Sequence, residues 1–165
     1  MELKFEVKMK IQKPVEEVFD TVHNPEKLSG YFTTGGASAP LHEGTTVTWA
    51  FADNPGDEEK GFPVKVEKVI PNELIAISWE GAPGIDTLVE FKCEQSGPSE
   101  TIVRISETGW RENQADLDRS YMNCFGWSQF LCCLKAYAEH GINLRKGAFT
   151  GLFTGEDNRA EKAAG

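Results

Sequence analysis

Positive charge is scarce in this chain of 165 residues: 17 lysines and arginines stand against 26 aspartates and glutamates, for a formal net charge of -9. Such a field repels phosphate backbones and anionic lipid surfaces, so neither nucleic acid nor a membrane surface is expected as a partner. Long apolar runs are missing as well, and none approaches the roughly 20 residues that cross a bilayer as a helix. Cysteine is limited to Cys93, Cys124, Cys132 and Cys133, with neither a Cys-x-x-Cys spacing nor an evenly spread framework. The opening Met1-Glu2-Leu3-Lys4 is not an apolar secretory segment, so the expectation is a reducing, cytoplasmic setting in which the thiols pack as small apolar groups. The three histidines, His23, His42 and His140, include no pair at the i, i+4 spacing of a metal site. Neither a metal nor another cofactor is expected. A Gly-x-Ser-x-Gly nucleophile turn is absent too.

What is present is periodicity. Leu3, Phe5, Val7, Met9 and Ile11 alternate with Glu2, Lys4, Glu6, Lys8 and Lys10, the pattern of a half-buried strand. Pro14 can open a helix, and Val15, Val18, Phe19 and Val22 continue at helical spacing until Asn24-Pro25. A second short helical piece follows over Pro25 to Leu28, then a loose stretch from Thr33 to Pro40. From Gly44 the period is two again. Val47, Trp49 and Phe51 begin one strand, a polar acidic loop spans Asp53 to Gly61, and further strands are expected over Phe62 to Glu67, Leu74 to Trp79, Thr87 to Cys93 and Thr101 to Ser106. Asn113 and Asp116 then offer a cap to one helix of about 28 residues, with Leu117, Tyr121, Cys124, Trp127, Leu131, Leu134 and Ala138 on its apolar stripe and Gly141 at its end. After Arg145 the chain lacks a sustained period, although Phe149, Leu152 and Phe153 can dock a short piece.

This order fits one α+β domain in which a single long helix covers one face of a curled sheet. Six strands offer more inward surface than one helix fills, so part of the interface is expected to remain a pocket, typically roughly 300 to 1,000 Å³ where a small molecule is held.

The chain also resembles the START-like, or SRPBCC, superfamily, and within it the proteins similar to the C-terminal domain of the activator of heat-shock protein 90 ATPase. The likeness spans about residues 3 to 142. It is carried by Pro14-Val15-Glu16-Glu17-Val18-Phe19-Asp20, by Pro25-Glu26-Lys27-Leu28 with Tyr31-Phe32-Thr33, by Pro71-Asn72-Glu73-Leu74 with Trp79, by Gly109-Trp110, and above all by Gly126-Trp127 with Leu131, Leu134 and Tyr137. The resemblance implies a helix-grip (Bet-v-1-like) fold: a curved antiparallel sheet of about six strands around one long C-terminal helix, with two short helices after the first strand. Residues 1–145 would form this domain and residues 146–165 a partly flexible tail. It also implies a cavity between sheet and helix, in a superfamily whose members bind lipids, hormones or polyketide-like molecules.

The first function reading is therefore the binding of a small apolar or aromatic ligand, with Tyr31, Trp49, Phe51, Trp79, Phe91, Trp110, Trp127, Leu131 and Leu134 as lining residues and Gly35-Gly36 as a flexible mouth. Against it stands simple core packing by the same rings. No catalytic residue is assigned. A cyclase- or hydrolase-type enzyme, the second reading, requires an ionisable group inside the pocket. Asp86, Glu90 and Glu80 are the carboxylates considered, but alternation sets Asp86 and Glu90 opposite Val89 and Phe91, on the solvated face. The third reading is a stress-related protein-interaction module, acting through the acidic surface or through an exposed apolar patch left by the C-terminal tail, including in a homodimer. It requires a filled interior, whereas the first reading needs a sizeable void.

Overall fold

The computed structural model describes residues 1–152. Phe153, considered above as a docking residue, lies outside the described residues. The alternating first segment forms β1 (Phe5–Ile11), and Asn24 separates two short helices, α1 (Val15–His23) and α2 (Pro25–Ser29). Asn24 caps the second by accepting from the backbone N–H groups of Glu26 and Lys27, while Pro25 occupies the first turn, where its missing N–H is not needed. The sheet continues with β2 (Gly36–Ala37), β3 (Thr46–Ala50), β4 (Phe62–Ile70), β5 (Leu74–Ala82), β6 (Ile85–Gly97) and β7 (Glu100–Thr108). Every pairing is antiparallel, in the order β1-β7-β6-β5-β4-β3-β2.

The sheet thus has seven strands rather than about six. The extra one is β2, in the stretch expected to be loose, where Gly36 pairs with Ala50 and Ala37 with Trp49. Two residues without a side-chain pattern give no local signal, and the pairing is decided by a partner strand across a loop. Three register shifts, at Val66/Lys68, Glu80/Ala82 and Gln95/Gly97, supply the bends that let the sheet curl.

The curl wraps α3 (Gln114–His140), one residue shorter than the expected length. Asn113 caps its start by accepting from the Asp116 N–H at 2.8 Å, and Gly141 closes its end at a left-handed φ of 67°. Asp116, buried, is held by three hydrogen bonds from Arg111, whose guanidinium keeps the carboxyl below its usual range. Val64, Val66, Ile75, Ile77, Val89, Phe91, Val103 and Ile105 on the sheet meet Trp127, Phe130, Leu131 and Leu134 of the helix in one core.

The helix does not present the expected stripe at its first half. Leu117 packs against the small cluster of Leu3, Ala82 and Trp110, but Tyr121 is 63% exposed, and the polar Asp116, Ser120 and Asn123 also turn inward there. No helix among the described residues is long and apolar enough to cross a membrane.

Candidate functional site

Inward positions of three adjacent strands converge beneath α3. Alternation along β7 buries Thr101, Val103 and Ile105, and the next inward position is Glu107. Its carboxylate is 0% exposed. Oε1 accepts from the indole Nε1 of Trp79 on β5 at 2.9 Å and from the Thr87 hydroxyl on β6 at 2.5 Å. Oε2 accepts from Trp127 Nε1 on α3 at 2.9 Å, and the Asn123 amide, also on α3, donates to both oxygens at 3.2 Å. All four partners are neutral donors, which suits the acceptor-only form of the carboxylate, and together they tie the helix to three strands. Gly81 belongs to this arrangement: a Cβ there would lie 2.1 Å from Thr87 Oγ1, so only glycine leaves the hydroxyl room to reach Glu107.

Aromatic rings surround the carboxylate. Trp79 and Trp127 lie 5.3 Å apart between centroids, and Trp127 meets Phe91 at 5.2 Å and Phe32 at 5.6 Å. Phe32 in turn touches Trp49 at 5.6 Å and Phe51 at 5.2 Å, while Phe62 bridges Phe51 and Trp79 at 5.7 and 5.8 Å. Tyr31 packs at 5.5 Å from Phe130 and donates its hydroxyl to the Thr21 carbonyl, and burial holds its phenol well above the usual range. Of the residues nominated from sequence, Tyr31, Trp49, Phe51, Trp79, Phe91, Trp127, Leu131 and Leu134 come together in this one cluster. Trp110 does not. It packs with Leu3 and Ala82 in a separate small cluster. Its indole N–H and that of Trp49 are buried without a hydrogen-bond partner.

These rings pack in the space between sheet and helix where the sequence leads to the expectation of a pocket, and two clefts open at the surface around them. A groove of about 730 Å³ runs along the rim formed by Val15, Ile70 to Leu74 and Lys92 to Gln95. A smaller cleft of about 190 Å³ is lined by Phe51, Asp53, Asn54, Asp57, Lys60, Phe62 and Phe149. Through Phe51 and Phe62 this second cleft abuts the aromatic layer, two rings from Glu107.

Glu107 escaped sequence reasoning because β7 was ended at Ser106, one residue short. Extending the alternation by a single step finds it. Of the carboxylates considered instead, Asp86 and Glu80 are exposed, and Glu90 is half-buried beside Lys92 at 3.3 Å. Among the thiols, burial pushes Cys93 up to about 12 and raises Cys133 and Cys124, whereas Cys132 is exposed. His23 and His42 meet at 5.2 Å, and burial, then the neighbouring imidazole, lowers His23.

The family model described as Activator of Hsp90 ATPase homolog 1-like protein matches residues 12–139. Among curated proteins, none matches the chain. Among solved structures, protein SSP2350 from Staphylococcus saprophyticus is 28% identical with a TM-score of 0.71, covering 87% of this chain and 96% of its own. The Aha1 dimer from Colwellia psychrerythraea is 24% identical with a TM-score of 0.69, covering 84% of this chain and 98% of its own. DynU16, a protein of the dynemicin biosynthetic locus, is 22% identical with a TM-score of 0.69, covering 84% of this chain and 48% of its own.

Proposed function

The chain belongs to the Activator of Hsp90 ATPase homolog 1-like family, and from that premise we propose that it is a small-molecule-binding module that takes an apolar or aromatic ligand carrying a hydrogen-bond donor into the aromatic layer beneath α3. The observation that carries the reading is Glu107. A fold of this kind has no structural need for a carboxylate at an inward strand position, because a buried ionic network is often matched or exceeded in stability by apolar side chains of similar volume. Here the cost is met by four dedicated donors on three elements. Asn123 makes the longest contacts and is half-buried on the helix, so a ligand hydroxyl or amine has a partner to replace without disturbing the indoles. Trp79 is half-buried at the edge of the layer and backs onto Trp127 and, through it, Phe91, so an aromatic body would stack here once the layer opens.

Calorimetric titration with 2-naphthol and with 2-methoxynaphthalene tests this directly. The two share a ring system and differ in the donor, so 2-naphthol should bind at least about tenfold more tightly, since one hydrogen bond to a charged group is worth about 1.5–3 kcal/mol. Equal affinity for both, or binding that survives Glu107→Leu, would remove Glu107 from the reading.

A second reading has its own observation. Tyr121, Met122 and Phe125 stand 63%, 42% and 48% exposed together on the outer face of α3, an apolar patch suited to a second copy of the chain. The Colwellia psychrerythraea relative is a dimer. Sedimentation velocity of the wild type against Phe125→Glu separates a dimer through this face, which the charge would dissociate, from a monomer that the charge leaves unchanged.

A further inference from the structure

The 190 Å³ cleft lies below the usual size of a ligand site, so a ligand reaches the aromatic layer only if something moves. Of the segment from Ile142 to Leu152, Phe149 lines this cleft and Arg145 lies over the Phe51 ring that borders it. The segment's own geometry is fixed by local bonds: Asn143 Oδ1 accepts from the backbone of Arg145 and Lys146, and the Arg145 and Phe149 carbonyls accept from Ala148 and Leu152. Beyond the Ile142 N–H, which donates to the Ala136 carbonyl at the end of α3, its hydrogen bonds to the body among the described residues converge on Asp53 and Asn54. Arg145 clamps the Asp53 carboxylate with Nε at 3.0 Å and Nη2 at 2.7 Å, Thr150 donates to the Asp53 carbonyl, and the Gly151 N–H donates to Asn54 Oδ1.

The arrangement inverts ordinary packing. Ile142, Leu144 and Leu152 are about half exposed at 50%, 49% and 58%, whereas the Arg145 side chain is only 14% exposed. The guanidinium lies 4.3 Å from the ring centroid of Phe51, 4.9 Å from that of Phe149 and 5.7 Å from that of Phe32. Phe32 is the ring that contacts both Trp49 and Trp127, so Arg145 sits directly outside the layer that surrounds Glu107. A segment held by buried apolar area releases only on unfolding. One held mainly by a bidentate ion pair to one loop and by stacking of the same guanidinium can release as a unit when that pair opens.

We propose that residues 142–152 are a strap over the mouth of the aromatic site, with Arg145 as its bolt in Asp53, and that ligand exchange proceeds through release of this pair. The proposal rests on the binding reading above for its purpose, but its mechanics are testable without any ligand. Trp49 and Trp110 both carry a buried indole N–H with no hydrogen-bond partner. Trp49 lies one ring beneath the strap and Trp110 in the separate cluster with Leu3 and Ala82, so the second is an internal control for the first.

The experiment measures solvent exchange of the two indole N–H groups by NMR in the full chain, as wild type, Arg145→Ala and Asp53→Asn. Exchange at Trp49 should rise at least tenfold in both variants while Trp110 stays within twofold, and Arg145→Lys, which cannot grip both carboxylate oxygens, should fall nearer to the alanine variant than to the wild type. An unchanged Trp49 overturns the strap. So does a parallel rise at both indoles, which marks a general loss of stability. Stopped-flow mixing with N-phenyl-1-naphthylamine then separates the strap from the site: a gate raises association and dissociation rates by the same factor and leaves the equilibrium constant within threefold. If the probe binds no variant while Trp49 exchange alone accelerates, the strap stands and the binding reading falls. If the probe binds all variants at equal rates, the binding reading stands and the strap falls.

Discussion

Replacing Glu107 with leucine keeps a side chain of similar bulk at the inward end of β7 and removes only the acceptor. Four donors lose their partner. The Thr87 hydroxyl can rotate, and the half-buried Asn123 can turn to water, but the indoles of Trp79 and Trp127 are held by packing against each other, with ring centroids 5.3 Å apart. Each orphaned buried donor costs about 1–3 kcal/mol, so the two indoles set a loss of about 2–6 kcal/mol. Glu107→Gln should lie in between. Its amide can keep one indole satisfied through oxygen and meet a flipped Asn123 through nitrogen, leaving a single orphan and a loss of about 1–3 kcal/mol. Urea unfolding followed by tryptophan fluorescence gives both values as shifts in midpoint at constant slope. A cycle with Trp127→Phe isolates the indole–carboxylate coupling from the cavity that the smaller ring creates, and about 1.5–3 kcal/mol is expected for a hydrogen bond to a charged group. A leucine variant as stable as the wild type, with no coupling in the cycle, would refute the argument that these donors are matched to a carboxylate.

Other expectations concern the surroundings of the site and the rim. Gly81→Ala places a Cβ 2.1 Å from Thr87 Oγ1 and should cost about 1–3 kcal/mol by overpacking, read as a lower thermal midpoint with the Trp79 indole resonance shifted; an unshifted midpoint would show that Thr87 moves freely. Glu100 joins the β6–β7 turn to β1: hydrogen bonds from Lys10 first, then Ser96 and Gln12, lower its carboxyl from 4.5 to about 2. A carboxyl lowered by folding adds stability that is present above its unfolded value and lost as pH falls from about 4.5 through about 2, so Glu100→Gln should lower stability modestly at neutral pH, flatten the acid limb in that window and converge with the wild type below about 2. Burial pushes Cys93 up to about 12, so a thiol reagent at pH 8 should modify the exposed Cys132 first, the half-buried Cys93 in the rim groove far more slowly and the buried Cys133 only on unfolding; comparable rates at Cys132 and Cys133, by peptide mass spectrometry, would contradict the burial.

Much of the frame was legible because local rules and global structure agree. The alternation of Leu3 to Ile11, the turn at Pro71-Asn72, the Asn113 cap and the Gly141 stop each act within a few residues, and each is found where the periodicity puts it. The aromatic cluster was legible as a set of inward positions, with Trp110 the exception because it follows the last strand and no alternation fixes its direction. The parts that decide the chemistry are long-range. Glu107 finds its partners 16 to 28 residues away, and a glutamate near a strand end reads locally as a solvated residue. The same network explains α3: Asn123 must face Glu107, which turns Ser120 and Asp116 inward and Tyr121 outward, against the apolar stripe. The strap is less legible still. Arg145 and Asp53 are separated by 92 residues, and neither Gly147 nor Gly151, both at positive φ, announces what the turns between them cover.

The most direct test of the central claim is an NMR titration of the four tryptophan indole resonances with 2-naphthol, in the wild type and in Glu107→Gln. A ligand hydroxyl at Glu107 should move the Trp79 and Trp127 signals along one saturable curve, leave Trp110 in place, and lose most of its effect in the variant. Absence of saturable movement at Trp79 and Trp127, or equal movement at Trp110, would contradict a binding site built on Glu107.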